Sequence, residues 1–365
     1  MRVVGIAYLM YAFGTTTDAA NLGDKMTGTM TIDQLTAEVE RIFRAAGASD
    51  LQARTVAEVI VAGERDGCAS HGIYRIEGCL RTIEAGKVDV TATPELDDDG
   101  SAVIRVRANG AYSVAGLAVG LPALAERARQ LGLAALVIND CTHFSALWPE
   151  VEQITALGLA GIAMCPSYAT VAPAGGSKPL LGTNPLAFGW PRPGGRPYVF
   201  DFATSFMARG DVELHRIAGK PLPEGCAVDR DGNPTTDPQA ALDGAMLPFG
   251  GHKGSAISTM IELLAGAMIG DMTSAEALDY LGTTTLAPKH GELLLAFCPE
   301  RFAAGRADPF ARAETLLEAI VGQGARLPSQ RRFAARARAE AEGIELSPEQ
   351  MQMLARMRER VGLAG

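Results

Sequence analysis

Apolar residues recur at helical spacing soon after Met30. Leu35, Val39, Ile42 and Phe43 follow a cap and first turn at 31–34, and Gly47 ends the run. A second helix, capped by Ser49 or Asp50, carries Val56, Val59, Ile60 and Val61, and a third spans about 74–84 and stops at Gly86. The period then changes. Val103, Ile104 and Val106 read as a strand closed by an Asn109-Gly110 turn. A helix over about 118–130 leads into an apolar strand at 134–138, and one around 150–157 leads into a buried strand at 161–165. Strands at 186–189 and 198–200, a Gly-, Pro- and Asp-rich ordered loop over 219–238, a long apolar helix over 256–269 and a last strand at 293–297 complete the central part. The tail, 312–362, is helical and charged, with breaks near Pro328 and Pro348. The expected fold class is therefore α/β (α+β). A discontinuous, mainly helical domain (30–112 plus 300–365) should flank a central α/β domain over 113–299.

Composition changes this picture little. Of 365 residues, 47% are hydrophobic and 21% charged, the balance of a globular protein with a sizeable core. A net charge of -9 argues against a nucleic-acid partner, which needs a basic face. The six cysteines form no C-x-x-C pair and read as reduced thiols; the five histidines have no local metal-ligand spacing, so no metal is expected. At the N-terminus, Arg2 precedes an apolar run over 3–13 that loosely resembles a signal peptide but is too short to span a bilayer. The favoured reading is an extension, residues 1–29, before a start near Met26 or Met30, and a cytoplasmic protein with no membrane partner.

Chemistry is concentrated in short clusters. No G-x-G-x-x-G lies between a strand and a helix, so the fold should not be a Rossmann domain. Gly250-Gly251-His252-Lys253-Gly254-Ser255 lacks the Walker order, yet it opens a helix whose free N–H groups and Lys253 suit an anion. Ser70-His71-Gly72-Ile73-Tyr74-Arg75 sets a proton donor four residues from a bidentate carboxylate clamp, although a lone histidine beside a serine is more often structural. Thr142 to Trp148 follows a buried strand, where α/β proteins commonly hold ligands. Gly182-Thr183-Asn184-Pro185 is a tight turn, and 201–211 carries Thr204, Ser205, Arg209 and Asp211. Each cluster alone is also an ordinary turn or cap.

Taken in order, SHGIYR (70–75), HFSALWPEVE (143–152), KPLLGTNPLAFGWPR (178–192), ARGDVE (208–213), DRDGNPTTDP (229–238) and PFGGHKGSAISTMIELL (248–264) resemble the malate/L-lactate/L-sulfolactate dehydrogenase family across roughly 31–340. HFSALWPEVE is most similar to the subgroup of Δ1-piperideine-2-carboxylate/Δ1-pyrroline-2-carboxylate reductases. The resemblance implies a non-Rossmann nucleotide-binding mixed sheet, a homodimer, and NADPH (NADP) as cofactor. It implies a proton relay of Ser70, His71 and Asp211, with His71 as acid, and a substrate grip by Arg75, Thr183, Arg209 and Gly210. Cofactor contacts are implied at His143, Phe144, Ser145, Ala146 and Leu147; at Asp201, Phe202 and Ala203; at His252 and Lys253; and at Arg326, Leu327, Pro328, Ser329, Gln330, Arg331 and Arg332. The sequence departs from the family pattern at Ala174 and over 327–330, away from the relay. The implied reaction is NADPH-dependent reduction of a small cyclic imino acid to L-pipecolate or L-proline. The alternatives are an NAD(P)-dependent 2-hydroxy-acid dehydrogenase of malate or lactate type, and a catalytically silent ligand-binding protein.

Overall fold

Thr31 begins the first helix by closing a capping box with Gln34, and this sets the start of the helical layer. The computed structural model describes residues 28–363. The apolar stripe of α1 (Ile32–Ala45) packs on α2 (Asp50–Arg65), α3 (Tyr74–Glu84) and the C-terminal α13 (Pro348–Arg360) around Leu35, Phe43, Ile60, Ile76 and Leu354. Two short strands, β1 (Gly28–Met30) and β11 (Ile344–Leu346), pair antiparallel and staple the two chain ends together. Gly28 and Thr29, assigned by sequence to the extension, therefore belong to the folded body; the remainder of that stretch lies outside the described residues. Neither strand has enough residues to show a period, so pairing across the chain, not pattern, creates them.

The central sheet is mixed. Among the described residues its seven strands run in the order β2 (Glu95–Asp97), β3 (Val103–Arg107), β4 (Leu133–Thr142), β10 (Lys289–Phe297), β5 (Ala160–Met164), β6 (Leu186–Trp190) and β7 (Tyr198–Phe202). Only β3 and β4 are parallel neighbours. Thus β2 and β3, within the stretch expected to be mainly helical, join the sheet. Alternation assigns the two faces: Leu136 and Ile138 face α4 (Ser113–Leu131) and α5 (Trp148–Ala156), while Val137 faces α8 (His252–Glu262). Gly116 and Gly120 let α4 close on the sheet, since a Cβ there would lie 2.8 Å from an Ile138 methyl and 2.5 Å from a Leu136 methyl.

Two expected helices have different limits. The helix expected from 118 already starts at Ser113, and the long apolar helix starts at His252 and changes to a π turn over Leu263–Ala267. At that change Glu262 turns inward, accepting from Asn184 Nδ2 at 2.8 Å and Ser274 N at 2.9 Å. The 219–238 loop contributes β8 (Ala227–Val228), which pairs with β9 (Ala245–Met246). The structure also contains α6 (Arg209–Ile217), α7 (Pro238–Asp243), α9 (Ser274–Leu281), α10 (Pro299–Ala303), α11 (Pro309–Gly322) and α12 (Gln330–Glu342). Among the described residues no helix is long and apolar enough to cross a membrane. All six cysteines are unpaired.

An ionic knot joins α12 to the rest. Asp66, fully buried, accepts from Arg65 Nε at 2.7 Å, Arg336 Nε at 2.9 Å and Trp148 Nε1 at 3.1 Å. Glu152 shares Arg336 and also takes Arg332 Nη1 at 2.9 Å. Burial raises the Asp66 carboxyl, but the bonds from Arg336 and Arg65 outweigh it, so its pKa is held below the usual 3.8. Replacing Asp66 by Asn removes the charge that Arg65 and Arg336 share and leaves Glu152 alone to offset Arg332 and Arg336. Asp66→Asn should lower unfolding free energy at neutral pH by about 3–5 kcal/mol. A depressed carboxyl pKa stabilises above the unfolded value and loses that effect as pH falls through the folded one. Denaturant titrations of the two proteins should therefore differ at pH 7 and converge below the ordinary aspartate value of 3.8.

Candidate active site

The end of α2 shapes the turn that carries Ser70 and His71. Gly63 lies against that turn: a Cβ there would be 2.4 Å from His71 O and 2.7 Å from Gly72 N. Gly63 O also accepts from Cys68 N at 2.8 Å. One residue on, Glu64 accepts Ile73 N at 2.8 Å and Gln350 Nε2 at 2.9 Å, so α13 braces the same segment from behind. The 3-10 turn Ala69–His71 then passes into α3, whose second residue is Arg75.

Ser70, His71, Arg75, Gly210 and Asp211 come together. Ser70 Oγ is 3.2 Å from His71 Nδ1, and the same hydroxyl lies near the Asp211 carboxyl, close enough to draw its proton affinity down. Arg75 Nε donates to Ser70 O at 2.7 Å, which aims the guanidinium fork. Gly210, at the start of α6, comes close enough that a Cβ would sit 3.4 Å from Ser70 Cβ and 3.6 Å from Arg75 Nη2. If Ser70 donates to Asp211, its oxygen accepts from His71 Nδ1–H and leaves Nε2 as the working nitrogen. His71 is half-buried and meets Trp148 in a T-shaped contact, 5.9 Å between ring centroids. Burial, then the charge of Arg75, pushes His71 down to about 3, so the free ring is neutral at physiological pH. Asp211 moves up, mainly by burial, against the pull of Ser70 and Arg75.

The other expected substrate residues are arranged less directly. The Thr183 carbonyl takes Thr204 N at 2.8 Å, and the neighbouring Asn184, at φ +31°, directs its amide inward to Ser258 and Glu262. Arg209 donates to Thr284 Oγ1 at 2.8 Å and lies over the Tyr168 ring at 5.9 Å, so its orientation depends on residues the sequence did not single out.

In the 143–147 loop every residue is buried. His143 turns toward Glu150 and Ser145, both at 3.5 Å, and Phe144 packs edge-on against Tyr112. The side chains of Ala146 and Leu147 join the sheet core. Any ligand contact here would involve the backbone and Ser145. Asp201 Oδ2 accepts from Leu147 N at 2.8 Å and Trp148 N at 2.9 Å and thereby holds the start of α5. Phe202 stacks on Phe200 and meets Phe249, which leads to the exposed His252 and Lys253 at the start of α8; Ala203 lies between Phe202 and the buried Thr204.

The C-terminal segment divides. Arg326, Gln330 and Arg331 are exposed, and Arg331 acts electrostatically on Asp211, whereas Leu327 is buried and Pro328 half-buried. Ser329, at φ +67°, donates to Val199 O and accepts from Arg332 Nη2. Arg332 is committed to Glu152, Ser329 and the Trp148 face at 4.8 Å. The sequence reading missed Asp66, Glu64 and Tyr168, and it gave Trp148 a place in a candidate ligand loop but no role of its own. Trp148 lies inside a quoted motif, but its partner Asp66 is distant in sequence and has no local signature.

The seven-stranded mixed sheet with its helices matches solved dehydrogenase structures. The malate/L-lactate dehydrogenase family model matches residues 30–355, and the chain belongs to that family. It is 68% identical over 336 residues to a Δ1-pyrroline-2-carboxylate reductase of Agrobacterium fabrum, covering 92% of this chain and 97% of that one. It is 55% identical over 318 residues to a Δ1-pyrroline-2-carboxylate/Δ1-piperideine-2-carboxylate reductase of Pseudomonas aeruginosa, covering 87% and 95%. The crystal structure of the Δ1-piperideine-2-carboxylate reductase from Pseudomonas syringae pathovar tomato superposes with a TM-score of 0.86 at 43% identity, covering 91% of this chain and all (100%) of that one.

Because Gly63 meets backbone atoms, the turn and not a flexible side chain must yield to a methyl group. Gly63→Ala should lower stability by about 1–3 kcal/mol, as overpacking does. It should also lower kcat through displacement of His71. Normal melting with normal kcat would show that this contact does not set the turn.

Proposed function

We propose that the protein reduces small cyclic imino acids, Δ1-piperideine-2-carboxylate to L-pipecolate and Δ1-pyrroline-2-carboxylate to L-proline, with NADPH. The observation that carries this reading is the Ser70–His71–Asp211 relay beside Arg75. The residues present suit a dinucleotide: Lys253 is exposed at the start of α8, the end of a helix that favours an anion, and Arg331 is exposed close to the relay. When bound, the cofactor supplies the hydride.

The chain's own residues supply position and a proton. A cyclic imine has its electrophilic carbon beside a carboxylate, which the Arg75 fork would hold. That carboxylate offsets the Arg75 charge that helps keep His71 neutral, so substrate binding raises the proton affinity of His71. His71 Nε2–H then donates to the imine nitrogen, while Ser70 and Asp211 fix the ring through Nδ1. Thr183, Arg209 and Gly210 would complete the grip on the substrate. The depressed His71 pKa is also what a base needs, and on that observation a 2-hydroxy-acid dehydrogenase is the second reading.

Two assays test the proposal. NADPH oxidation should be fast with both cyclic imines and slow with pyruvate at the same pH; the reverse order would favour the second reading. In the same assay His71→Ala should lower kcat by at least ~10² while leaving NADPH affinity nearly intact. Unchanged turnover would remove His71 from the mechanism.

Cofactor choice gives a separate expectation. A charge-assisted bond to the 2′-phosphate contributes about 1.5–3 kcal/mol, or roughly tenfold discrimination and more. The kcat/KM ratio of NADPH to NADH should therefore be about ten or higher, and Lys253→Ala or Arg331→Ala should shrink it. Arg332 is unsuited to this test because its fork already serves Glu152 and Ser329. A ratio near one, unmoved by either substitution, would sink NADPH preference.

A further inference from the structure

Glu150, in the first turn of α5, and Glu292, in β10, are both buried in the core next to His143. One carboxyl oxygen of each and a ring nitrogen of His143 lie within 4.8 Å of one another. None of the four carboxyl oxygens accepts a hydrogen bond from a protein N–H or O–H. The surrounding groups do not offer a counter-charge. His290, fully buried on β10, must donate Nδ1–H to Gly291 O at 2.8 Å, which leaves its Nε2 an unpartnered lone pair. Burial pushes His143 down and His290 down to about 3, so neither ring is a cation at neutral pH. Cys141 and Cys165 are driven up by burial and stay as thiols. Ser113 brings a hydroxyl beside Glu292, and Asp201 adds a further negative charge. Two like charges this close in a dry core cannot both persist.

We propose that Glu150 and Glu292 are positioning residues that share one proton, and that this carboxyl–carboxylate hydrogen bond ties the start of α5 to β10 and so holds His143 and the 143–147 loop in place. The inference rests on the reading that this loop contacts the cofactor. Burial raises both carboxyls, and at Glu292 the charge of Glu150 raises it further. A carboxyl whose affinity for its proton rises on folding stabilises the fold fully below its ordinary value and loses that effect progressively as pH climbs to the raised one. The tie is therefore present at neutral and acid pH and fails in alkali, when the second charge appears. Glutamine at 292 replaces the shared proton with an N–H that does not titrate.

The experiment follows melting temperature and NADPH dissociation constant for wild type, Glu292→Gln and Glu150→Gln from about pH 6 to about pH 10. One displaced ionisation corresponds to about tenfold per unit of pKa. Wild type should lose about tenfold or more in affinity and melt lower toward alkaline pH, while either glutamine variant should lose less than about threefold. Parallel profiles overturn the proposal. Infrared spectra of the wild-type protein without cofactor give a readout independent of variant folding. A protonated-carboxyl carbonyl band should persist at neutral pH and disappear in alkali; its absence at neutral pH overturns the proposal. The same spacing would admit a divalent cation in place of the proton. A stoichiometric metal in purified wild type that is missing from Glu292→Gln also overturns it. Hydrogen exchange of the 143–147 amides with and without NADPH tests the underlying reading. No protection there overturns the cofactor placement, whereas the cofactor-free infrared and melting signals still report on the pair.

Discussion

Asp66 is the constraint on which the arrangement depends. A carboxylate with no solvent contact must have its charge met by the protein, and this one draws in Arg65 from its own helix, Arg336 from α12 and the Trp148 indole N–H from α5. Those three elements come from widely separated parts of the chain. Their convergence brings α12 over the Trp148 ring, which meets His71. The apolar layers supply the bulk of the folding free energy, but they are less directional. The buried acid supplies direction, because its hydrogen bonds tolerate little displacement.

Burial works in two opposite senses in and around the site. At Asp66 the partners overcome it and the group stays charged. At His71 nothing overcomes it, and the neighbouring Arg75 strengthens it, so the ring waits neutral. A site built in this way is most easily protonated when an anion sits on Arg75. Under the proposed function, substrate recognition and acid activation would become one event, the proton being held only when there is something to receive it. Asp201, by contrast, has its carboxylate occupied by the Leu147 and Trp148 amides, so its contribution to the site is the geometry of the loop.

Much of this was legible along the chain, for identifiable reasons. The helices α1 to α3 and the strands β4, β5 and β6 carry enough apolar residues to show their period, and Thr31, Ser49 and Ser347 cap helices through their own side chains. Ser70, His71 and Arg75 lie within a six-residue segment, and a single turn followed by a helix start suffices to make them neighbours. Short strands such as β1, β8, β9 and β11 could not be seen, because two or three residues have no period and form only when a distant partner arrives.

The sequence by itself determined the helical and strand propensities, the mixed α/β class, and which residue types could hold a carboxylate or move a proton. Tertiary structure alone decided which of them meet. Asp211 joins Ser70 from far along the chain, Arg332 is drawn from the cofactor candidates into the Glu152 knot, and Glu150 comes to face Glu292. The physical reason is that local pattern governs hydrogen bonding along the backbone and which side of an element is apolar. Charges and hydrogen-bonding groups in a core, in contrast, are settled by desolvation, which depends on everything packed around them and is written in no single segment.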